Sequence, residues 1–232
     1  MKLIGLIGGM SWESSLEYYR LINESVRQRR GGLHSARCVM YSLDFAEIEA
    51  LQAGDRWDET AVILSDAARS LVRAGAELIV LCTNTMHKVA HSIEKAVTVP
   101  LLHIADATAA EIRGHGLQTV GLLGTRFTME EEFYASRLSE IHGLQIVVPP
   151  PDGREMIHRV IYDELCRGEI NPASRACYLD VIAELGRAGA QGVILGCTEI
   201  GLLIKQSDSR LPLFDTTAIH AAAAVDFALT RG

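Results

Sequence analysis

Two short stretches of this chain carry side chains able to move protons. The first is Gly196-Cys197-Thr198-Glu199, which closes the apolar run Gly192-Val-Ile-Leu. A thiol between a buried strand and a following helix meets free backbone N–H groups and the positive end of the helix, both of which favour a thiolate. The second is Thr83-Asn84-Thr85, which closes the run Glu77-Leu-Ile-Val-Leu-Cys. Both runs are preceded by Arg-Ala-Gly-Ala. Setting Arg73 on Arg187, 114 residues later, places Thr83 on Cys197, Asn84 on Thr198 and Thr85 on Glu199. Equivalent strand ends therefore present a hydroxyl in one half and a thiol in the other. Cys82 is the more visible thiol of the first half, but it aligns with Gly196, and successive side chains on a strand point to opposite faces. With Thr83 turned to the strand-end surface, Cys82 turns to the core. Cys38, Cys166 and Cys177 fall in strand or helix patterns and read as packing residues.

The elements that must hold these groups alternate regularly. Residues 2–8 form a buried strand, Gly8-Gly9-Met10-Ser11 a tight turn, and Leu16, Tyr19, Leu21, Ile22 and Val26 recur at helical spacing. A second strand starts at Cys38, helices are expected over 58–74 and 85–96, a third strand over 78–82, and a fourth at Val99-Pro-Leu-Leu-His-Ile, before a helix over 105–113. The order then restarts. Gly121 and Gly124 fall 116 residues after Gly5 and Gly8, Tyr134 is spaced from Gly124 as Tyr18 is from Gly8, and Leu211-Pro-Leu-Phe-Asp repeats Val99-Pro-Leu-Leu-His at an offset of 112. Such matches indicate an internal duplication with a period far too long for a solenoid. The expected fold is α/β, with two pseudo-symmetric domains, each a parallel sheet flanked by helices. Ligands of such sheets bind beyond the carboxyl ends of the strands. The expected site is thus the interdomain cleft, lined by Gly8 to Ser11 and Thr83 to Thr85 on one side, and by Gly124 to Thr128 and Cys197 to Glu199 on the other.

Thr83, Thr85, Thr125, Thr128 and Thr198 all stand at turns before helices. Hydroxyls there cap helices, as expected of Thr85 and Thr128, and with free N–H groups they also hold carboxylates. His87 and His91 have the i,i+4 spacing of metal ligands, but no third ligand is near, so both read as helix-surface residues and no metal is expected. Gly5-Leu-Ile-Gly-Gly breaks the G-x-G-x-x-G order of a dinucleotide fingerprint, and there is no P-loop.

Bulk properties remove other classes. With 48% hydrophobic and 22% charged residues among 232, and 20 glycines against 6 prolines, the chain has the composition of a globular protein with many tight strand-to-helix turns. A net charge of −7 gives no footprint for nucleic acid or an anionic membrane. No apolar run approaches the roughly 18 residues of a membrane span, and the start lacks the pattern of a signal peptide. Five cysteines, an odd number without Cys-x-x-Cys spacing, fit a reducing, cytoplasmic setting.

The residues resemble the cofactor-independent aspartate/glutamate racemases over nearly the whole chain. The resemblance is carried by Ile4-Gly-Leu-Ile-Gly-Gly-Met-Ser, Thr83-Asn-Thr-Met-His, Gly121-Leu-Leu-Gly-Thr and Gly196-Cys-Thr-Glu. It implies two pseudo-symmetric α/β domains with the site between them. The C-terminal segment would return to the first, giving 1–104 plus 208–232 and 105–207. It also implies inversion of an amino-acid α-carbon without pyridoxal phosphate or any other cofactor, by two groups on opposite faces, and a possible homodimer. By resemblance Met10 (through its backbone), Gln52, Asn84, Thr85, Thr125, Thr128 and Thr198 contact the substrate, with Thr83 and Cys197 at the acid/base positions. Family members carry a cysteine in each half, and this chain departs from that pattern at Thr83. A hydroxyl does not ionise near neutral pH, so Cys197 is expected to be the competent base, and the enantiomer whose α-proton faces it the one exchanged more readily. Two alternatives remain: a single-cysteine decarboxylase or isomerase of a dicarboxylate on the same scaffold, and a non-catalytic dicarboxylate-binding protein. The distal carboxylate of a substrate could meet Gln52, Arg126 or Arg159.

Overall fold

The computed structural model describes residues 1–230. The first half runs β1 (Ile4–Gly8), α1 (Trp12–Arg30), β2 (Cys38–Ser42), α2 (Phe45–Ala53), α3 (Trp57–Arg73), β3 (Leu78–Leu81), a 3-10 turn (Thr85–Val89), α4 (Ala90–Ala96) and β4 (Leu101–Leu102). The second runs α5 (Ile104–Gly114), β5 (Thr119–Gly124), α6 (Arg126–Glu130), α7 (Glu132–Ser136), β6 (Gln145–Val147), α8 (Pro151–Asp163), α9 (Pro172–Arg187), β7 (Val193–Gly196), α10 (Ile200–Leu203), β8 (Leu213–Asp215) and α11 (Thr216–Leu229). Among the described residues there are two parallel four-stranded sheets of matching order, β2-β1-β3-β4 and β6-β5-β7-β8. The duplication expected from the repeated motifs is therefore a duplication of topology.

Central strands of a sheet covered on both faces need apolar side chains in succession, and β1, β3 and β7 are buried along their whole length. In the first unit one face of the sheet packs Ile7, Leu64, Leu71 and Ile79, and the other packs Leu6, Tyr18, Ile22, Val80 and Ala224. The second unit closes over Val120, Leu122, Tyr134, Tyr178 and Ile194. Tyr18 and Tyr134, equivalent by spacing, are both fully buried. The inward stripe of α1 differs from expectation. Tyr18, Ile22 and Val26 face the core, while Leu16 and Tyr19 are exposed, because Ser14 and Ser15 are drawn in by bonds to the Ser11 carbonyl.

The C-terminal boundary also moves. The chain divides into residues 1–103 with 220–232 and residues 104–219, so 208–219 does not join the first unit. β8 pairs with β7 in register (Ile194 opposite Phe214), which commits this stretch to the second sheet. The repeat of Val99–His103 by Leu211–Asp215 pointed this way, since β4 holds the same place in its own sheet. Only from His220 does α11 belong to the first unit. No helix among the described residues is long and apolar enough to cross a membrane.

Candidate active site

In the first unit β1 and β3 are neighbours, with Ile7 opposite Leu81. Their outgoing turns, 9–11 and 83–85, consequently start side by side. Gly9 makes the first turn possible: its φ is +89°, and an added Cβ would sit 2.1 Å from the Leu43 carbonyl oxygen. Its N–H donates to Ser15 Oγ at 2.7 Å, which folds the turn onto α1 and leaves Met10 buried. Thr83 is held at both ends of its backbone, its N–H donating to the Leu81 carbonyl at 2.9 Å and its own carbonyl lying 2.8 Å from His87 Nδ1. Among the described residues no side chain hydrogen-bonds its hydroxyl. Asn84 and Thr85 are buried beside it, and Gln52 is buried with Nε2 3.7 Å from Met86 Sδ. Thr85 does not cap the turn it begins, which has no side-chain cap.

Cys82 lies on the other side of the strand. It is fully buried among Tyr18, Ile22, Val80 and Ala221, and burial, with a smaller contribution from Cys38, pushes its thiol far above the ordinary range. It is a packing residue, as alternation along the strand requires.

In the second unit Gly124 and Gly196 stand opposite each other at the ends of β5 and β7. A Cβ on Gly196 would lie 2.7 Å from the Leu123 carbonyl oxygen, so glycine is what lets the two strand ends approach. Thr125 caps α6 by accepting from the Thr128 N–H at 3.3 Å, and the two hydroxyls are 3.2 Å apart. Thr125 is thus the cap expected at Thr128. Cys197, 8% exposed, donates its thiol hydrogen to Glu199 Oε2 at 2.9 Å, and Thr198 Oγ1 donates to the same oxygen at 2.8 Å. Burial first, and the Glu199 carboxylate second, hold the thiol well above its ordinary range, outweighing the Glu199 amide that acts the other way. The resting group is therefore a thiol donating to a carboxylate, not the expected thiolate. α10 contains only four residues, too short a dipole to offset desolvation and a neighbouring negative charge.

Residues 7–224 match the family model described as Asp/Glu/Hydantoin racemase. The chain belongs to that family. A Yersinia pestis crystal structure bearing the Asp/Glu racemase name is 57% identical, covers 99% of this chain and 100% of its own, and superposes with a TM-score of 0.92. An aspartate racemase homologue from Pyrococcus horikoshii OT3 is 38% identical over 99% of this chain and 100% of its own, with a TM-score of 0.86. The broad specificity amino-acid racemase RacX of Bacillus subtilis (strain 168) is 26% identical over 176 residues, 72% of either chain.

Within this racemase family member, the first unit gathers Met10, Gln52, Thr83, Asn84 and Thr85, all buried, and the second gathers Thr125, Thr128, Cys197 and Thr198. The candidates for a distal carboxylate differ in setting: Gln52 is buried, whereas Arg126 and Arg159 are exposed. Sequence reasoning gave Glu199 no role as acceptor for Cys197, although the two lie only two residues apart in the motif. It also misplaced His87, which is 3% exposed and packed at a tilt against His103 with ring centroids 4.4 Å apart; His91 is on the surface as expected. The one available signal was the histidine at the end of the fourth strand, where the second half has Asp215.

Proposed function

We propose that this protein is a pyridoxal-phosphate-independent racemase of aspartate and/or glutamate. The observation that carries this reading is the Cys197–Glu199 pair. A thiol that is neutral at rest becomes a base only if its proton has somewhere to go, and Glu199 Oε2 accepts it at 2.9 Å. As the α-proton moves to Sγ, the thiol proton moves to Glu199, and the net transfer is from carbon to carboxylate. The carbanion is stabilised by fixed N–H and hydroxyl donors around the substrate carboxylate, for which the turns carrying Met10, Asn84, Thr85, Thr125 and Thr198 are the source. The Thr83 hydroxyl gives the returning proton to the α-carbon and is replenished from water. Solvent returns Glu199 to its ionised form between turnovers.

The test is incubation of L- and D-aspartate and L- and D-glutamate in D₂O without pyridoxal phosphate, following the Cα–H signal and enantiomer composition separately. Exchange with inversion is the expected result, ending at equal L and D, because enantiomers have equal free energy in achiral solvent. Exchange without inversion makes the protein a one-base relative acting on a dicarboxylate, and heat of binding without exchange makes it a binding protein.

A further inference from the structure

The two strand ends hold their carbonyls by different means. In the second unit the Cys197 carbonyl accepts from the backbone N–H of Ile200 at 3.1 Å. In the first unit the Thr83 carbonyl is met by the His87 imidazole at 2.8 Å, while the His87 backbone N–H goes instead to the Asn84 carbonyl at 3.0 Å. At the 114-residue offset His87 falls on Gly201, and at the 112-residue offset His103 falls on Asp215. The second unit keeps the same juxtaposition without an imidazole: a Cβ built on Gly201 would lie 2.4 Å from Asp215 Oδ2. The contact is common to both units, and the histidines are particular to the half with threonine at the acid/base position.

His87 is also braced from behind. Its ring packs on His103 with centroids 4.4 Å apart and on His220 at 6.0 Å. Both His220 nitrogens are committed, Nε2 donating to the Leu102 carbonyl at 2.9 Å and Nδ1 accepting from the Tyr18 hydroxyl at 2.8 Å. A carbonyl can only accept, so His87 carries its proton on Nδ1 and His220 on Nε2. No cluster of His, Cys, Asp or Glu among the described residues has the arrangement of a metal site.

We infer that His87 is a positioning residue for Thr83, fixing through its Nδ1–H the strand end that presents the hydroxyl, with His103 and His220 as the brace that keeps the imidazole in place. The inference rests on the racemase reading for its kinetic consequence but not for its geometry. Thr83 has no side-chain partner to orient it, so its placement depends on its backbone, and a displacement of about 1 Å in a reacting group can cost on the order of 100-fold. Cys197, aimed by Glu199, is independent of His87.

The experiment compares His87→Ala, His87→Asn and the unaltered full-length protein, each first checked for a cooperative thermal transition. The asparagine amide can place an N–H near the position of Nδ1–H and serves as the rescuing variant. With the two enantiomers assayed separately in D₂O, His87→Ala should lower inversion several-fold, up to about the tenfold expected when the Thr83 hydroxyl is removed. Exchange of the enantiomer facing Cys197 should stay within about twofold, and His87→Asn should recover most of the inversion. Equal losses of exchange and inversion without rescue, or full inversion in His87→Ala, overturn the assignment. Long-range ¹H–¹⁵N correlation of the histidine rings reads the geometry without activity: an Nδ1–H tautomer at His87 upholds the brace and an Nε2–H tautomer overturns it. If the unaltered protein exchanges without inverting, the racemase reading has failed, and this spectrum alone decides the brace.

Discussion

The end of β3 and the end of β7 are the same piece of structure built twice, and their chemistry has diverged. Both follow fully buried four-residue strands beside an equally buried neighbour. At Cys197 the thiol itself is bonded, to a carboxylate two residues away, which is the proton acceptor in the proposed reaction. At Thr83 only the backbone is bonded, to Leu81 and His87, which fixes the strand end that carries the hydroxyl. In the proposed reaction one half supplies a proton acceptor and the other supplies position.

The comparison is broken most severely at the thiol. Cys197→Ala should reduce Cα exchange of both enantiomers by on the order of 1,000-fold or more, measured by loss of the Cα–H signal in D₂O. Retained exchange would move the base elsewhere. Glu199→Gln should cost about 100-fold and change the pH dependence. Without the carboxylate the thiol must ionise to solvent, so the remaining activity should climb about tenfold per pH unit toward a thiol pKa that burial still holds up. A flat profile would show that Glu199 is not the proton acceptor.

Thr83 gives a smaller and more selective effect. Thr83→Ala should lower inversion by about tenfold, because water can substitute in part for the hydroxyl, and should leave exchange at the Cys197 face nearly intact. Thr83→Cys should instead raise exchange of the other enantiomer, making the halves alike. No change in either variant would remove Thr83 from the reaction.

The histidine brace is tested through stability. Burial lowers the His220 pKa from 6.5 to about 4, so the fold favours the neutral ring. The associated stability, on the order of 3 kcal/mol, is fully present above about pH 6.5 and is lost as pH falls through about 4. His220→Gln should remove this dependence, so the difference in unfolding free energy between it and the unaltered protein should narrow as pH drops from 7 to 4 in urea titrations. The smallest effect is expected at Cys82. Cys82→Ala should cost about 1–2 kcal/mol through the void it leaves in the core, with exchange rates unchanged.

Periodicity was sufficient for the strands, the long helices and the duplication, because a strand covered on both faces has to be apolar along its length and each turn into a helix has to be small and polar. The opposed directions of Cys82 and Thr83 followed from strand alternation alone. So did the location of Thr83 and Cys197 at strand ends, since chain order fixes where each strand stops. The role of Glu199 as acceptor, although it stands two residues from the thiol, the resting protonation of Cys197 and the burial of His87 could not be read from periodicity. They depend on how far a carboxylate, an imidazole and the residues around them are removed from water, and burial is a property of neighbours up to 133 positions away, as His87 and His220 are. The place of β8 depended likewise on a partner strand. Sequence spacing determined where Thr83 and Cys197 stand, and tertiary packing decided what surrounds and bonds each of them.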